Sequence, residues 1–356
     1  MTEPILTVEN LTKWFPVKRS LRQVLRGERT WVRAVDGVSF SVNKGEIFGL
    51  VGESGCGKTT TGKLIMKLLE ITDGKLTVKG RDATHVRGSA LAEHRRDVQM
   101  IFQDPYSSMN PRFTIRDVLM EPLEIHKVGK SESERDAWVR EILQEVKLSP
   151  PDEFLVRHPH MLSGGQRQRA ATARTLMLNP SIIVADEPVS MIDLSTRAEI
   201  LYMMKQLQRE MGLTYIYVTH DLSTARYFVD RLAVMYLGRI IEMGRGGTVI
   251  DEALHPYTKA LIGAVCEPVA GRVNQDKDVP IKGEIPAATN IPPGCRFHPR
   301  CLYAVRECWE EEEPTLVDVG GGHFVACRRY DEIRRLGPAA RTSEASLGVR
   351  RKNASA

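Results

Sequence analysis

Two short stretches of this chain carry residue types suited to polyphosphate chemistry. Gly52-Glu53-Ser54-Gly55-Cys56-Gly57-Lys58-Thr59 follows an apolar, strand-like run, Ile47–Val51, and precedes a helix predicted to begin at Lys58. A glycine-rich loop in that context turns successive backbone N–H groups into one concavity, where they bind phosphate oxygens at a helix N-terminus. Lys58 is expected to neutralise the β- and γ-phosphates, and Thr59 to place its hydroxyl on Mg²⁺. Thr60 belongs with the loop as an ATP-binding position. Nothing near Cys56 points to a catalytic thiol, so its role there is backbone geometry.

The second stretch is Ser181-Ile182-Ile183-Val184-Ala185-Asp186-Glu187. Five residues of a buried strand lead to two adjacent carboxylates at its C-terminal end. Asp186 is expected to hold Mg²⁺ or its water, and Glu187 to polarise the attacking water as general base. Paired acids at a strand end also occur in plain turns. Together with the phosphate loop they read as two halves of one ATP–Mg²⁺ site.

The elements that must position these residues alternate along the chain. Leu6–Asn10 and Val35–Val42 show strand-like alternation, and Val98–Phe102, Ser181–Ala185 and Leu213–Val218 are short apolar runs. Residues 112–179 are mostly helical by pattern, with Leu119, Leu123, Val139, Ile142, Leu143 and Val146 at helical spacings. Such alternation predicts an α/β fold with a mainly parallel sheet covered by helices. Between the first two strands, Pro16 to Arg33 is rich in Lys and Arg, which reads as a solvated hairpin or insertion, or else as a basic contact with a membrane or partner.

Composition sets further bounds. The chain has 356 residues, 42% hydrophobic and 27% charged, enough for one large domain plus an appendage. Aromatics at 6% argue against a base-stacking surface, and a net charge of +5 demands neither nucleic acid nor membrane. No apolar run approaches the roughly 18–20 residues of a membrane-spanning helix. Met1-Thr2-Glu3-Pro4 has neither a basic nor an apolar leader region.

Leu162-Ser163-Gly164-Gly165-Gln166-Arg167-Gln168-Arg169 precedes the Asp186 strand, with Ser163 a good N-cap for a strongly helical run. This string resembles the signature sequence of ABC ATPases. The resemblance implies that Ser163, Gly164, Gly165 and Gln166 bind the γ-phosphate held by an opposite subunit, so that a monomer hydrolyses poorly. It further implies that Gln103 is the glutamine that senses Mg²⁺ and the membrane partner, and that His220 is the switch histidine on the γ-phosphate. Phe15, in preference to Trp14, would stack on adenine. The loop Ser190-Met191-Ile192-Asp193 departs from the family's Ser-Ala-Leu-Asp but keeps Ser190 and Asp193. The implied fold is a nucleotide-binding domain over residues 1–250, with a mixed sheet core, an antiparallel β subdomain and a helical subdomain at about 105–178.

Asp104–Arg112, His255–Leu261 and Gly294–Cys301 look like the dipeptide and oligopeptide importer ATPases, the F-type subunit most of all. That resemblance implies an extension over 251–333, followed by a disordered tail over 334–356. Within the extension, Cys295, Cys301, Cys308 and Cys327 follow a C-x5-C-x6-C-x18-C spacing. Four thiolates suit either tetrahedral zinc or a [4Fe–4S] cluster, or they stay metal-free thiols, and the resemblance implies the cluster. It also implies a second, D-type ATPase chain, two membrane permease subunits and an extracytoplasmic solute-binding protein. No nucleic-acid partner is expected, and the place of work is the cytoplasmic face of the membrane. Relatives of this kind also serve oligosaccharides and nickel complexes. A non-transport ABC ATPase is the rival class. The stretch from Lys58 to Ser163 is too short for the coiled coils of its repair members, and translation-type members carry two ATPase halves in one chain.

Overall fold

The computed structural model of the protein describes residues 3–17, 29–264 and 281–335. Residues 18–28 of the basic stretch, 265–280 of the extension and 336–356 of the tail lie outside the described residues, whereas Arg334 and Arg335, expected in the tail, end a helix. Strands β1 (Leu6–Pro16) and β2 (Trp31–Val42) pair antiparallel from Leu6↔Val42 to Pro16↔Trp31, longer than their alternation predicted. The chain then enters a second sheet with β3 (Ile47–Val51), passes into α1 (Lys58–Ile65), and returns to the first with β4 (Asp73–Val78) and β5 (Arg81–Asp82). The first sheet is antiparallel, in the order β2-β1-β4-β5.

Helix α2 (Gly88–Asp97) leads into β6 (Val98–Ile101). The helical layer follows as α3 (Ile115–Ile125), α4 (Glu132–Glu145), α5 (Pro151–Leu155) and α6 (Gly164–Leu176). Its starts are set by local chemistry. Thr114 caps α3 in a reciprocal box with Asp117, Ser131 caps α4, and a proline opens α5. The apolar positions Leu119, Leu123, Val139, Ile142, Leu143 and Val146 are all buried in one core.

Strand β7 (Ile182–Asp186), helix α7 (Leu194–Met211), β8 (Thr214–Thr219), α8 (Leu222–Phe228), β9 (Arg231–Tyr236) and β10 (Arg239–Arg245) complete the main sheet. Beyond α9 (Gly246–Asp251) and α10 (Pro256–Ala264), the described chain resumes at Ile281 and forms α11 (Glu307–Glu310), β11 (Val317–Asp318), β12 (Phe324–Val325) and α12 (Tyr330–Arg335). The larger sheet runs β11-β12-β10-β9-β3-β8-β7-β6. It is parallel from β9 through β6 and antiparallel beyond β9, so the cysteine-bearing segment adds strands to the main sheet.

Both faces of the parallel part are covered, which is why its strands read as continuous apolar runs. Phe48, Leu50, Ile182, Val184, Ile216 and Val218 face the antiparallel sheet. Ile47, Val51, Ile183, Ala185, Tyr215 and Tyr217 face the helical layer. Burying each large apolar side chain contributes roughly 1.5–3 kcal/mol. Among the described residues no helix is long and apolar enough to cross a membrane.

Candidate active site

Strand register brings the chemistry to one edge. Val51 aligns with Thr219, Val218 with Asp186, and Ala185 with Ile101. The residues that follow each strand therefore leave the same carboxyl-end rim: the loop from Gly52, Glu187, His220 and the Phe102-Gln103 pair. A parallel α/β sheet binds ligands at this rim.

The phosphate loop closes on α1. Gly57 has φ 111°, in the left-handed region, and a Cβ there would meet the Ala34 carbonyl oxygen at 2.2 Å. No side chain caps α1 at Gly57, which leaves its first-turn N–H groups to bind an anion. Lys58, buried, donates from Nζ to the carbonyls of Gly52 (2.7 Å) and Glu53 (3.0 Å). The Cys56 carbonyl accepts from Gly238 N–H at 2.9 Å, which ties the loop to the turn between β9 and β10. Burial pushes the Cys56 thiol up, away from reactive thiolate character.

Thr59 Oγ1 donates to Asp186 Oδ1 at 2.9 Å, joining the two acidic and hydroxyl positions expected to hold Mg²⁺. Burial raises the Asp186 pKa above the usual aspartate value. The Thr59 hydrogen bond opposes this rise, and the neighbouring Glu187 charge adds to it. A hard oxygen pair of this kind suits Mg²⁺, which is bound through one or two protein oxygens plus substrate phosphates.

Glu187 is the meeting point of two other predicted residues. Gln103 Nε2 donates to Glu187 Oε2 at 2.9 Å, and His220 Nδ1 lies 3.0 Å from Glu187 Oε1. Its φ of 48° is unusual for a non-glycine residue. That conformation turns the chain sharply out of β7, while Glu187 N–H still donates to Val218 O at 2.9 Å. Backbone strain of this sort costs of order 1–3 kcal/mol and collects at functional positions. The sequence gives no local warning of it.

The signature segment is an exposed helix start. Ser163 Oγ accepts from Gln166 N–H (3.2 Å) and Gln166 Oε1 accepts from Ser163 N–H (3.0 Å). Gly165 lies against α7, where a Cβ would meet Thr196 Cγ2 at 2.4 Å. Ser190 and Asp193 are both engaged within their own loop. Ser190 Oγ donates to Glu187 O at 3.0 Å, and Asp193 caps α7, accepting from Thr196 N–H and Ser195 Oγ. Those donors bring the Asp193 pKa down to about 2. The departure at Met191-Ile192 divides by burial: Met191 is exposed and Ile192 lies in the core.

At the other end of the site, Trp14 is committed to its own strand pair. Its Nε1 donates to Asp36 Oδ1 at 2.9 Å, and the Arg33 guanidinium sits 4.8 Å from its ring. Phe15, half-buried, points to the opposite face of β1, with Lys13 Nζ 5.2 Å from its ring centre.

Cys295, Cys301, Cys308 and Cys327 line one small cavity, together with His255, His298 and Tyr303. All four are free thiols. Burial pushes Cys295 up to about 11 and Cys301 and Cys327 up to about 12, and neighbouring cysteines add to each rise. The arrangement of these side chains does not support the expected [4Fe–4S] cluster. Among the described residues no group of three or more His, Cys, Asp or Glu side chains is arranged to hold a metal ion. A single zinc needs each sulfur about 2.3 Å from one point, a stricter demand than a shared cavity.

Several engaged residues carry no local sequence signal. Tyr257 Oη accepts from Glu53 N–H (2.8 Å), and Arg300 grips the Glu53 carboxylate. A groove between the main sheet and the helical layer is lined by Phe102, Pro122, Ile125, Ala171 and Leu178, and the Arg174–Glu121 ion pair (3.0 Å) lies in it.

Comparison with known proteins accounts for this arrangement. A family model described as "ABC transporter" matches residues 35–190, and one described as "Oligopeptide/dipeptide transporter, C-terminal region" matches residues 241–308. The chain is 44% identical over 332 residues to the oligopeptide transport ATP-binding protein AppF of Bacillus subtilis, covering 92% of this chain and 98% of that one. It is 40% identical over 335 residues to the dipeptide transport ATP-binding protein DppF of Escherichia coli, covering 93% and 96%. Among solved structures it resembles the dimeric, post-hydrolysis ATP-binding cassette MJ0796 bound to ADP and Pi. That match has a TM-score of 0.59 and 29% identity, over 67% of this chain and 98% of the other. The chain therefore belongs to the ATP-binding proteins of ABC transporters, in the group that carries the oligopeptide/dipeptide transporter C-terminal region.

Proposed function

We propose that the protein is the ATP-hydrolysing subunit of an importer of dipeptides or oligopeptides, working at the cytoplasmic face of the membrane through separate permeases. One observation carries the hydrolytic part. Gln103 and His220 both converge on the Glu187 carboxylate, at the rim where the phosphate loop ends. Glu187 acts as general base toward water, and His220 and Gln103 fix its orientation. Lys58 and the loop from Gly52 to Thr60 bind the phosphates, and Phe15 stacks on adenine. Thr59, Asp186 and Gln103 hold Mg²⁺, which when bound neutralises phosphate charge. Ser163 to Gln166 complete a partner's site across a dimer, an arrangement for which an exposed, uncluttered helix start is suited.

The peptide substrate rests on the names of the relatives. The oligosaccharide and nickel alternatives share the same engine. A second, D-type ATPase chain, two permeases and a solute-binding protein complete the assembly. The groove beside Phe102 and Ile125, part apolar and part polar and adjoining Gln103 in sequence, offers a seat for a permease segment. Co-expression with candidate permeases in liposomes tests this: ATP-driven accumulation of a labelled dipeptide supports the reading. Recovery of the chain only with nucleic acid or soluble enzymes would sink it in favour of a non-transport ATPase.

The four cysteines are the donor set for a [4Fe–4S] cluster. The support is their all-thiol composition and their common cavity. Anaerobically purified protein is then brown, with roughly four irons per chain, the stoichiometry of the cluster. Colourless protein carrying one zinc would overturn this assignment.

A further inference from the structure

Two arginines of the cysteine loop reach opposite ends of the nucleotide site. Both lie between Cys295 and Cys301, a segment braced by the Cys295 N–H to Cys308 O bond (2.7 Å) and the turn His298–Arg300. Arg300 Nη1 donates to Glu53 Oε2 at 2.7 Å and Nη2 to Glu53 Oε1 at 3.1 Å, a two-pronged grip on the second residue of the phosphate loop. Arg296 bonds the Asp36 carboxylate through Nη2, the Leu237 carbonyl through Nη1 (2.6 Å) and Glu313 Oε1 through Nε (2.7 Å). Asp36 in turn accepts from Trp14, the neighbour of Phe15.

These are not loose surface pairs. The side chains of Arg296 and Arg300 are 4% and 7% exposed, and those of Asp36 and Glu53 9% and 25%. Desolvating such ions is costly, so a buried pair is weak evidence for stability and better evidence for a fixed geometry. Glu53 has every polar group engaged. Its carboxylate takes Arg300, its N–H donates to Tyr257 Oη, and its carbonyl accepts from Lys58 Nζ. Arg300 also packs over Tyr236 and Phe297, whose rings cluster with Tyr257. Arg300 thus links the cysteine loop directly to the residue whose carbonyl holds Lys58.

We propose that the Cys295–Cys301 loop is a brace on the nucleotide site, in which Arg300 is a positioning residue that sets Glu53 and thereby ATP affinity, so that the state of the cysteine cavity is felt at the phosphate loop. The inference rests on the reading of this loop as the ATP site. It adds a determinant of affinity that lies outside the site's own motifs.

The test measures ATP binding to the full chain with a fluorescent ATP analogue, alongside KM and kcat for the assembled ATPase. Arg300→Gln is expected to weaken binding about tenfold, equivalent to about 1.4 kcal/mol, and to raise KM with kcat nearly unchanged. Arg300→Lys, which keeps the charge but not the fork, restores part of the loss. Glu53→Gln matches Arg300→Gln, and the double variant is no weaker than either single one. Cys308→Ser, which alters the cysteine cavity while keeping the Cys308 carbonyl that braces the loop, weakens binding in the native background and adds nothing to Arg300→Gln. Should Arg300→Gln fail to fold, Glu53→Gln carries the same measurement with the cysteine loop intact. Native affinity in both Arg300→Gln and Glu53→Gln, or additive losses in the double variant, overturns the brace. Native affinity in Cys308→Ser alone removes the cysteine cavity from it. A native chain that binds no ATP would instead sink the nucleotide reading.

Discussion

Thr59 and Asp186 stand 127 positions apart in sequence, yet Thr59 Oγ1 donates to Asp186 Oδ1 across 2.9 Å. The contact joins the start of α1 to the end of β7, and it is where the phosphate and acidic halves of the site become one. Asp186 is kept there at an electrostatic cost, since its burial and the nearby Glu187 raise its pKa above the ordinary 3.8.

That cost has a signed consequence. A carboxyl whose folded pKa lies above its unfolded value stabilises the fold fully below the unfolded value, and the contribution is lost as pH rises through the folded one. Asp186→Asn is therefore expected to raise the thermal midpoint of the nucleotide-free protein at pH 7 and to abolish Mg²⁺-dependent ATP binding. The gain should vanish below pH 3.8, the ordinary aspartate value. Calorimetry across pH, with and without Mg–ATP, checks both halves.

Glu187→Gln keeps the two hydrogen-bonding neighbours but removes the carboxylate proposed as the base. Turnover is expected to fall about 10²- to 10⁴-fold, with ATP affinity retained and a closed dimer trapped. Steady-state hydrolysis and size-exclusion chromatography with ATP read the two effects. Near-normal turnover would take the role of base away from Glu187.

Ser163→Arg fills the exposed start of α6 with a bulky cation. The chain's own phosphate loop is untouched, so the variant should bind ATP as before. In mixed dimers it should silence hydrolysis at the opposite site and leave its own site active. Equal loss at both sites would count against a contribution across the dimer.

His255 supplies a separate pH signature. It is fully buried, and Tyr257 N–H donates to its Nδ1 at 3.1 Å. Burial lowers its pKa from 6.5 to about 3. A depressed histidine is stabilising above its unfolded pKa, and that contribution is lost as pH falls toward the folded one. Stability is thus expected to decline from pH 6.5 toward pH 3 by up to about 1.4 kcal/mol per pH unit from this residue. Denaturant titrations at successive pH values should show His255→Gln flattening the slope.

The elements were legible where local pattern and burial agree. The β7 and β8 runs are apolar without alternation because both sheet faces are covered, and the observed strands differ from the predicted ones by one residue at each end. The helical layer is readable from the spacing of Leu119, Leu123, Val139 and Val146, whereas the caps at Thr114 and Ser131 emerged only with the structure. The four cysteines were legible as a set, and they do share a cavity, but their spacing in sequence does not disclose how far apart their sulfurs stand. Asp193, singled out for its loop, also serves as the N-cap of α7.

By itself the sequence determined three local motifs and the chemistry they suit: the glycine loop with Lys58 and Thr59, the Asp186-Glu187 pair at a strand end, and the Ser163 helix start. Each is encoded within a few consecutive residues, because backbone turns and caps are local. Only the tertiary structure decided that Gln103 and His220 share the Glu187 carboxylate and that Arg300, 247 positions away, holds Glu53. Such contacts arise from sheet register and packing between distant segments, and neither leaves a periodic mark in the chain.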